Sequence, residues 1–221
     1  MGRKKLQKFA DNENNEKVIQ EGKDLFTTIK GKWHSTVFKN NNPIVVELGC
    51  GRGEYTVGLA QHYPNKNFIG VDIKGSRLWT GSQQAKTQGI DNAAFLRTEI
   101  RYINEFFEAD EVSEIWITFP DPHPKEKAEN NRLTSPVFLE RYRQFLKPGG
   151  LLHLKTDNSG LFVYTLEMLN KAGHHIYDHT WDLYNSPMKD EHYGLKTRYE
   201  HKFVREKGRR IKYVKFKLRK P

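Results

Sequence analysis

The sequence predicts an α/β fold, a single domain on a doubly wound, mostly parallel seven-stranded sheet with an antiparallel C-terminal edge. Three observations carry that prediction. Short β-branched runs alternate with stretches of helical spacing from about residue 44 onward, which is the pattern of crossover connections between parallel strands. A glycine-rich loop, Gly49-Cys50-Gly51-Arg52-Gly53, falls between the first such run and the first such helix. A later apolar run ends at Ile117 and stops at Thr118-Phe119-Pro120-Asp121-Pro122, presenting a carboxylate at a strand tip.

The elements follow in order. Residues 1–30 form a charged, Asn-containing extension, expected to be partly mobile. Its apolar positions Val18, Ile19, Leu25, Phe26 and Ile29 fit a short amphipathic helix. The domain occupies residues 31–221. Residues 44–48 are apolar enough for a central strand, and a helix runs from the glycine loop to about Tyr63. Residues 68–72 are the second strand, 74–88 a helix, 93–97 the third strand, 103–107 a short helix and 112–117 the fourth strand. Helical spacing over residues 135–146 ends at Lys147-Pro148-Gly149-Gly150. A strand over 151–155 and a helix over 158–172 come next. Residues 176–183 and 212–218 read as two strands with no full crossover helix between them, hence an antiparallel pair at the sheet edge.

At 221 residues the chain suits one domain with a full core. Its 36% hydrophobic and 12% aromatic content argues against disorder. A single cysteine, Cys50, excludes an internal disulfide framework and a cysteine-rich zinc site. Cys50 itself is read as packing, and no metal is expected. With neither a signal-peptide pattern nor a long apolar span, the expected location is the cytoplasm and no membrane partner is expected. Monomer and homodimer both remain open.

The net charge of +10 is concentrated at one end. Residues 196–221 hold twelve Lys and Arg against Glu200 and Glu206, while the rest of the chain has 25 bases and 25 acids. Such a block is the electrostatic footprint of a polyanion binder. Ile211, Tyr213, Val214, Phe216 and Leu218 interleave it, which suits an ordered strand.

The loop after the first strand, Glu47-Leu-Gly49-Cys-Gly51-Arg-Gly53, lacks the G-x-G-x-x-G spacing of dinucleotide sites, which disfavours a nicotinamide oxidoreductase. An acid beside the loop repels a pyrophosphate and favours an ammonium group. S-adenosylmethionine offers an amino group and a sulfonium without phosphate. Asp72, ending the second strand, is placed to accept from two ribose hydroxyls. Glu99, past the third, is a candidate neighbour of the adenine. Asp121, held between Pro120 and Pro122, has little backbone freedom.

Together, Val-Glu47-Leu-Gly-Cys-Gly-Arg-Gly-Glu, Gly-Val-Asp72-Ile, Phe-Pro-Asp121-Pro, Lys-Thr-Asp157-Asn and Thr197-Arg198-Tyr199-Glu200 resemble the bacterial tRNA (guanine-N7)-methyltransferases. The resemblance runs from about Trp33 to near the end. It implies a Rossmann-like class I methyltransferase domain that methylates the variable-loop guanine at position 46 of tRNA, using S-adenosylmethionine. It implies that Glu47, Asp72 and Glu99, with Gly49, Gly51 and Gly53, bind the cofactor. It places Asp121 between cofactor and guanine, as catalytic residue and cofactor neighbour. Lys125, Asp157, Thr197, Arg198, Tyr199 and Glu200 are implied to bind tRNA, with Asp157 or Glu200 accepting from guanine N1–H and N2–H₂. Lys125, Arg132 and the C-terminal block of residues 196–221 would hold phosphates. The chain departs from the family pattern at His123-Pro124 and in the less basic loop Lys125-Glu126-Lys127-Ala128-Glu129. Competing readings are a methyltransferase for another RNA or a small molecule, and a noncatalytic RNA-binding protein on the same fold.

Overall fold

The computed structural model describes residues 3–219. Helix α1 (Arg3–Glu13), strand β1 (Val18–Gln20) and helix α2 (Asp24–Thr28) precede a π turn over Trp33–Phe38. The alternating region holds β2 (Ile44–Leu48), α3 (Glu54–His62), β3 (Asn67–Asp72), α4 (Gly75–Thr87), β4 (Ala93–Arg97) and β5 (Val112–Thr118). It continues with α5 (Pro136–Arg143), β6 (Leu146–Thr156), α6 (Ser159–Lys171), β7 (His175–Thr180), α7 (Arg198–Lys207) and β8 (Lys212–Lys217).

The sheet runs β1-β4-β3-β2-β5-β6-β8-β7. Strand β8 is antiparallel to both β6 and β7, and the other pairs are parallel. All seven expected strands are present. An eighth, β1, extends the sheet beside β4, with Val18 opposite Phe95 and Ile19 opposite Leu96. This corrects the amphipathic helix expected there. Val18 and Ile19 are wholly buried in the ladder, and only α2, carrying Leu25 and Phe26, is helical. The short helix expected at 103–107 is a 3₁₀ turn over Ile100–Glu105. Helix α7 is an addition, since periodicity alone assigns no element between residues 184 and 211.

The N-terminal helix is docked on α4. Trp79 Nε1 donates to Asp11 Oδ2 at 2.7 Å, and Asn12 Nδ2 donates to the Gly75 carbonyl at 2.9 Å. Of the two terminal segments singled out in the sequence, Met1, Gly2, Lys220 and Pro221 lie outside the described residues.

Strand alternation divides the core into two layers. Ile44, Val46 and Leu48 face the layer built with Trp33, α5 and α6. Val45 faces the opposite layer, with Tyr55 and Leu59 of α3 and Leu78 of α4. Glu47 shares that second face, so its carboxylate points at α3. Every residue of β2 is buried, as befits a strand covered on both faces. The carboxyl ends of β2, β3, β4, β5 and β6 lie along one edge of the sheet, where open α/β sheets bind ligands. Among the described residues, no helix is long and apolar enough to cross a membrane.

Candidate active site

The glycine loop turns sharply at the tip of β2. The amides of Gly49 and Cys50 donate to the Val71 carbonyl at 2.8 and 3.0 Å, which pulls the loop over β3. Gly49 and Gly51 have φ of +75° and +58°, conformations glycine adopts without strain. A Cβ built on either meets nothing within 4 Å, so this stretch of backbone borders open space. Gly53 does different work: it begins α3, and a Cβ there would lie 2.7 Å from the Phe95 ring. Asp72 ties the loop to the next helix. Its carboxylate accepts from Gly51 N at 3.0 Å and Lys74 N at 2.8 Å.

Glu47 is buried beneath the loop. It accepts from Thr56 N at 2.8 Å, from the Thr56 hydroxyl and, at 2.6 Å, from the Thr118 hydroxyl. Burial raises its pKa to about 7, and the hydrogen bonds from Thr118 and Thr56 limit the rise. Its place beside the loop suggests an ammonium partner in the ligand. The structure turns the carboxylate inward, where it joins β2, α3 and the tip of β5.

A cleft of about 350 Å³ opens beside the loop. It is lined by Gly49, Cys50, Gly51 and Arg52 of the loop, Glu54 of α3, Arg77 of α4, Thr118 and Phe119 at the end of β5, and Thr197, Arg198, Tyr199 and Lys202 at the start of α7. Phe119 N makes the last ladder bond of β5, to the Lys155 carbonyl at 2.8 Å. Phe119 then takes φ +50° although Pro120 follows, and His123 takes φ +42° before Pro124. Residues preceding proline favour extended backbone, so two left-handed ones bracketing Asp121 are a local strain of about 1–3 kcal/mol each. The Phe119 and Tyr199 rings face each other at 5.2 Å. Asp121 is exposed outside the cleft lining, close enough for its charge to help raise the Tyr199 pKa, after burial and Asp157.

The Thr197–Glu200 signature is a capping box. Glu200 N donates to Thr197 Oγ1 at 3.2 Å and Thr197 N donates to Glu200 Oε2 at 2.9 Å, which starts α7. Glu200 is wholly buried, ion-paired with the equally buried Lys155 at 3.0 Å, and also accepts from the Tyr184 hydroxyl. The resemblance implies that Glu200 accepts from guanine; in this structure its oxygens are engaged by Lys155, Tyr184 and Thr197. Asp157 pairs with Arg209, and its backbone carbonyl accepts from Lys212 Nζ at 3.0 Å. Its side chain is 8% exposed and hydrogen-bonds Tyr199, which lines the cleft. Lys125 is exposed at the start of the 3₁₀ turn Glu126–Asn131. Arg132, expected to hold phosphate, donates Nε to the His123 carbonyl at 3.1 Å and stacks 4.2 Å over Tyr164, bracing the Asp121 turn.

Glu99 borders a second cleft of about 380 Å³ with Ile73, Thr98 and Tyr102. Its carboxylate is paired with Arg101. Ile73, next to Asp72, is 51% exposed there. Among the described residues, no group of three or more His, Cys, Asp or Glu is arranged to hold a metal ion.

With this geometry in view, a family described as putative methyltransferase matches residues 41–213. A tRNA (guanine-N(7)-)-methyltransferase of Bacteroides fragilis is 50% identical over 99% of this chain and 87% of its own. Its namesake in Christiangramia forsetii is 48% identical over 99% of this chain and 100% of its own. The chain belongs to the tRNA (guanine-N(7)-)-methyltransferase family. Among solved structures, the 16S rRNA methyltransferase KamB matches with a TM-score of 0.64 at 14% identity, covering 84% of this chain and 92% of that one. That likeness is one of fold.

Within this family member the structure brings Gly49, Gly51, Thr197, Arg198 and Tyr199 together around one cleft. Glu47 and Glu200 are buried and outside the cleft lining, and Asp157 is paired with Arg209. Sequence reasoning misses Phe119, Arg52, Arg77 and Lys202 as lining residues and Lys155 as a buried cation. Arg52 stands in plain view inside the glycine loop. Lys202 is legible only as one of twelve basic residues, and nothing in a single sequence aims it at the cleft.

Proposed function

We propose that this protein transfers a methyl group from S-adenosylmethionine to N7 of the variable-loop guanine at position 46 of tRNA. The observation that carries the reading is the cleft at the tips of β2 and β5, lined by both the open glycines and basic α7. It occurs in a chain half identical to relatives named for guanine-N7 methylation of tRNA. The residues fit the cofactor. The space over Gly49 and Gly51 leaves room for a ligand against the backbone, and Asp72 accepts only one hydrogen bond per oxygen, leaving lone pairs for hydroxyls. Gly49, Gly51 and Asp72 would hold it, with exposed Ile73 and Glu99 bordering the purine. Glu47 keeps the loop and Thr118 in place from below.

When bound, the cofactor supplies an electrophilic methyl on a sulfonium. Guanine N7 has a free lone pair and no proton, so no residue need act as its base. The task of the chain is to hold the base at near-attack distance, which is worth about 7–11 kcal/mol of the barrier in well-oriented systems. Phe119 and Tyr199 offer ring surfaces for that purpose. The purine gains positive charge as it is methylated, and Asp121 stabilises that charge more than it does the neutral base. Arg52, Arg77, Arg198 and Lys202 offer cationic groups to the RNA backbone, with Lys125 beyond them. Asp157 acts through Arg209 and Tyr199. The substrate puts this work in the cytoplasm.

Incubation with unmodified tRNA and labelled methyl donor, followed by nucleoside analysis, tests the reading. Label is expected in N7-methylguanosine alone, and to disappear when the guanine at position 46 is replaced. Label in another nucleoside, or none, rejects it in favour of another substrate or a noncatalytic RNA binder.

A further inference from the structure

Lys155, near the end of β6, is a lysine with no exposed surface. A buried ammonium is tolerated only when its donors find acceptors. Its Nζ lies 3.0 Å from Glu200, 3.2 Å from the Tyr184 hydroxyl and 3.3 Å from the Leu195 carbonyl. That is three acceptors for three donors. The rings of Tyr55, Tyr184 and Phe119 surround it at 4.9, 5.5 and 5.8 Å. Burial lowers its pKa, and the Glu200 charge opposes that fall.

The origin of these partners is what gives the cluster meaning. Leu195 and Glu200 belong to the segment that enters α7, Tyr184 to the 3₁₀ turn Leu183–Asn185 before it, and Phe119 to the tip of β5. Glu200 also closes the capping box with Thr197. Arg198 and Tyr199, the two residues inside the box, line the cleft, whereas Lys155 and Glu200 do not.

We propose that Lys155 is a positioning residue for the RNA substrate: through Glu200 it fixes the first turn of α7, so that Arg198 and Tyr199 meet the substrate in a set register across from Phe119. This rests on reading the cleft as a tRNA methylation site. A buried pair serving stability alone would lower the melting temperature and leave RNA affinity of the folded protein unchanged.

The decisive variant is the double substitution Lys155→Met with Glu200→Gln. It removes both charges at similar volume, and the carboxamide oxygen introduced at position 200 can still accept from Thr197 N. Tyr184→Phe, which deletes a single hydroxyl, serves as a milder second probe. Fluorescence anisotropy with unmodified tRNA measures Kd, and calorimetry with S-adenosylmethionine measures cofactor affinity. Expected are a tRNA Kd raised tenfold or more in the folded double variant, about threefold in Tyr184→Phe, and cofactor Kd within twofold in both. A folded double variant that binds tRNA within twofold of wild type overturns the proposal. If that variant does not melt cooperatively, an unchanged Kd in Tyr184→Phe overturns it. Nucleoside analysis of the wild type separately decides the methylation reading, since the affinity measurements need no turnover.

Discussion

At the scale of single residues, the acids at the strand tips divide by what surrounds them. Asp121 stands exposed in a turn bracketed by two left-handed residues, whereas Glu47 and Asp72 are both engaged by backbone amides. Asp121→Asn is expected to lower kcat about 10²- to 10³-fold, the usual cost of losing one aligned electrostatic group, with cofactor affinity within a few-fold. A near wild-type kcat would remove Asp121 from the mechanism. Glu47 is the reverse case, buried with a pKa of about 7 against 4.5 unfolded. Below pH 4.5 it is protonated in both states. Between 4.5 and 7 it ionises only when unfolded, so stability falls as pH rises, and above 7 the penalty is constant. Urea melts of wild type and Glu47→Gln at about pH 5 and about pH 8 are therefore expected to shift by roughly 2–3 kcal/mol in favour of the variant at the higher pH. Equal differences at both pH values would refute the assignment. Sequence locates these acids but not their direction. Glu47 follows Val46 on a strand buried on both sides, so it must face one of two cores, and only the register against β3 and β5 shows which helix receives it.

At the scale of elements, the long alternating stretch is legible because its strands β2 to β5 are short and mostly apolar and its helices α3 to α6 each have more than two turns of periodicity. Two elements escape. Strand β1 has three residues, too few for a period of 2 to be told from 3.6, and only pairing with Phe95, Leu96 and Arg97 makes it a strand. Helix α7 lies inside the basic block, where charge dominates the reading, yet Thr197 and Glu200 carry the T-x-x-E spacing of a capping box ahead of it. That signal is available in the very residues singled out for RNA contact. Its physical role yields a prediction about the element. Thr197→Ala deletes the hydroxyl that accepts from Glu200 N, a loss of about 1 kcal/mol for an N-cap, or roughly 2–4 °C in Tm for a domain of this size. Calorimetric melts check this; an unchanged Tm would mean that Lys155 and Tyr184 hold Glu200 and α7 without help from the box.

At the scale of the whole molecule, the C-terminal excess of charge is less available than its position in the sequence implies. Lys215 is paired with Glu191, Arg209 with Asp157 and Arg210 with Asp182, while Lys212 is spent on two backbone carbonyls. Strand β8 puts Tyr213, Val214 and Phe216 in the core, so this stretch is an inner strand before it is an RNA-binding tail. The cations at the cleft come instead from three separate elements: Arg52 from the glycine loop, Arg77 from α4, and Arg198 and Lys202 from α7. An interface assembled this way binds phosphate by releasing counterions, and each contact contributes about 0.7 to 0.9 to the slope of log K against log salt. The tRNA affinity of the wild type is therefore expected to fall steeply between about 50 and 200 mM salt, about 10³-fold if roughly six phosphates are engaged. The cofactor carries no phosphate, so its affinity should change little over the same range. Arg52→Ala and Arg77→Ala should each reduce the tRNA slope by about one unit. Lys215→Ala, which breaks a pair with Glu191 outside the cleft lining, should leave the slope unchanged. Salt titrations of tRNA binding by wild type and the three variants measure these slopes. A slope that drops for Lys215 but not for Arg52 or Arg77 would move the RNA from the cleft to the sheet edge.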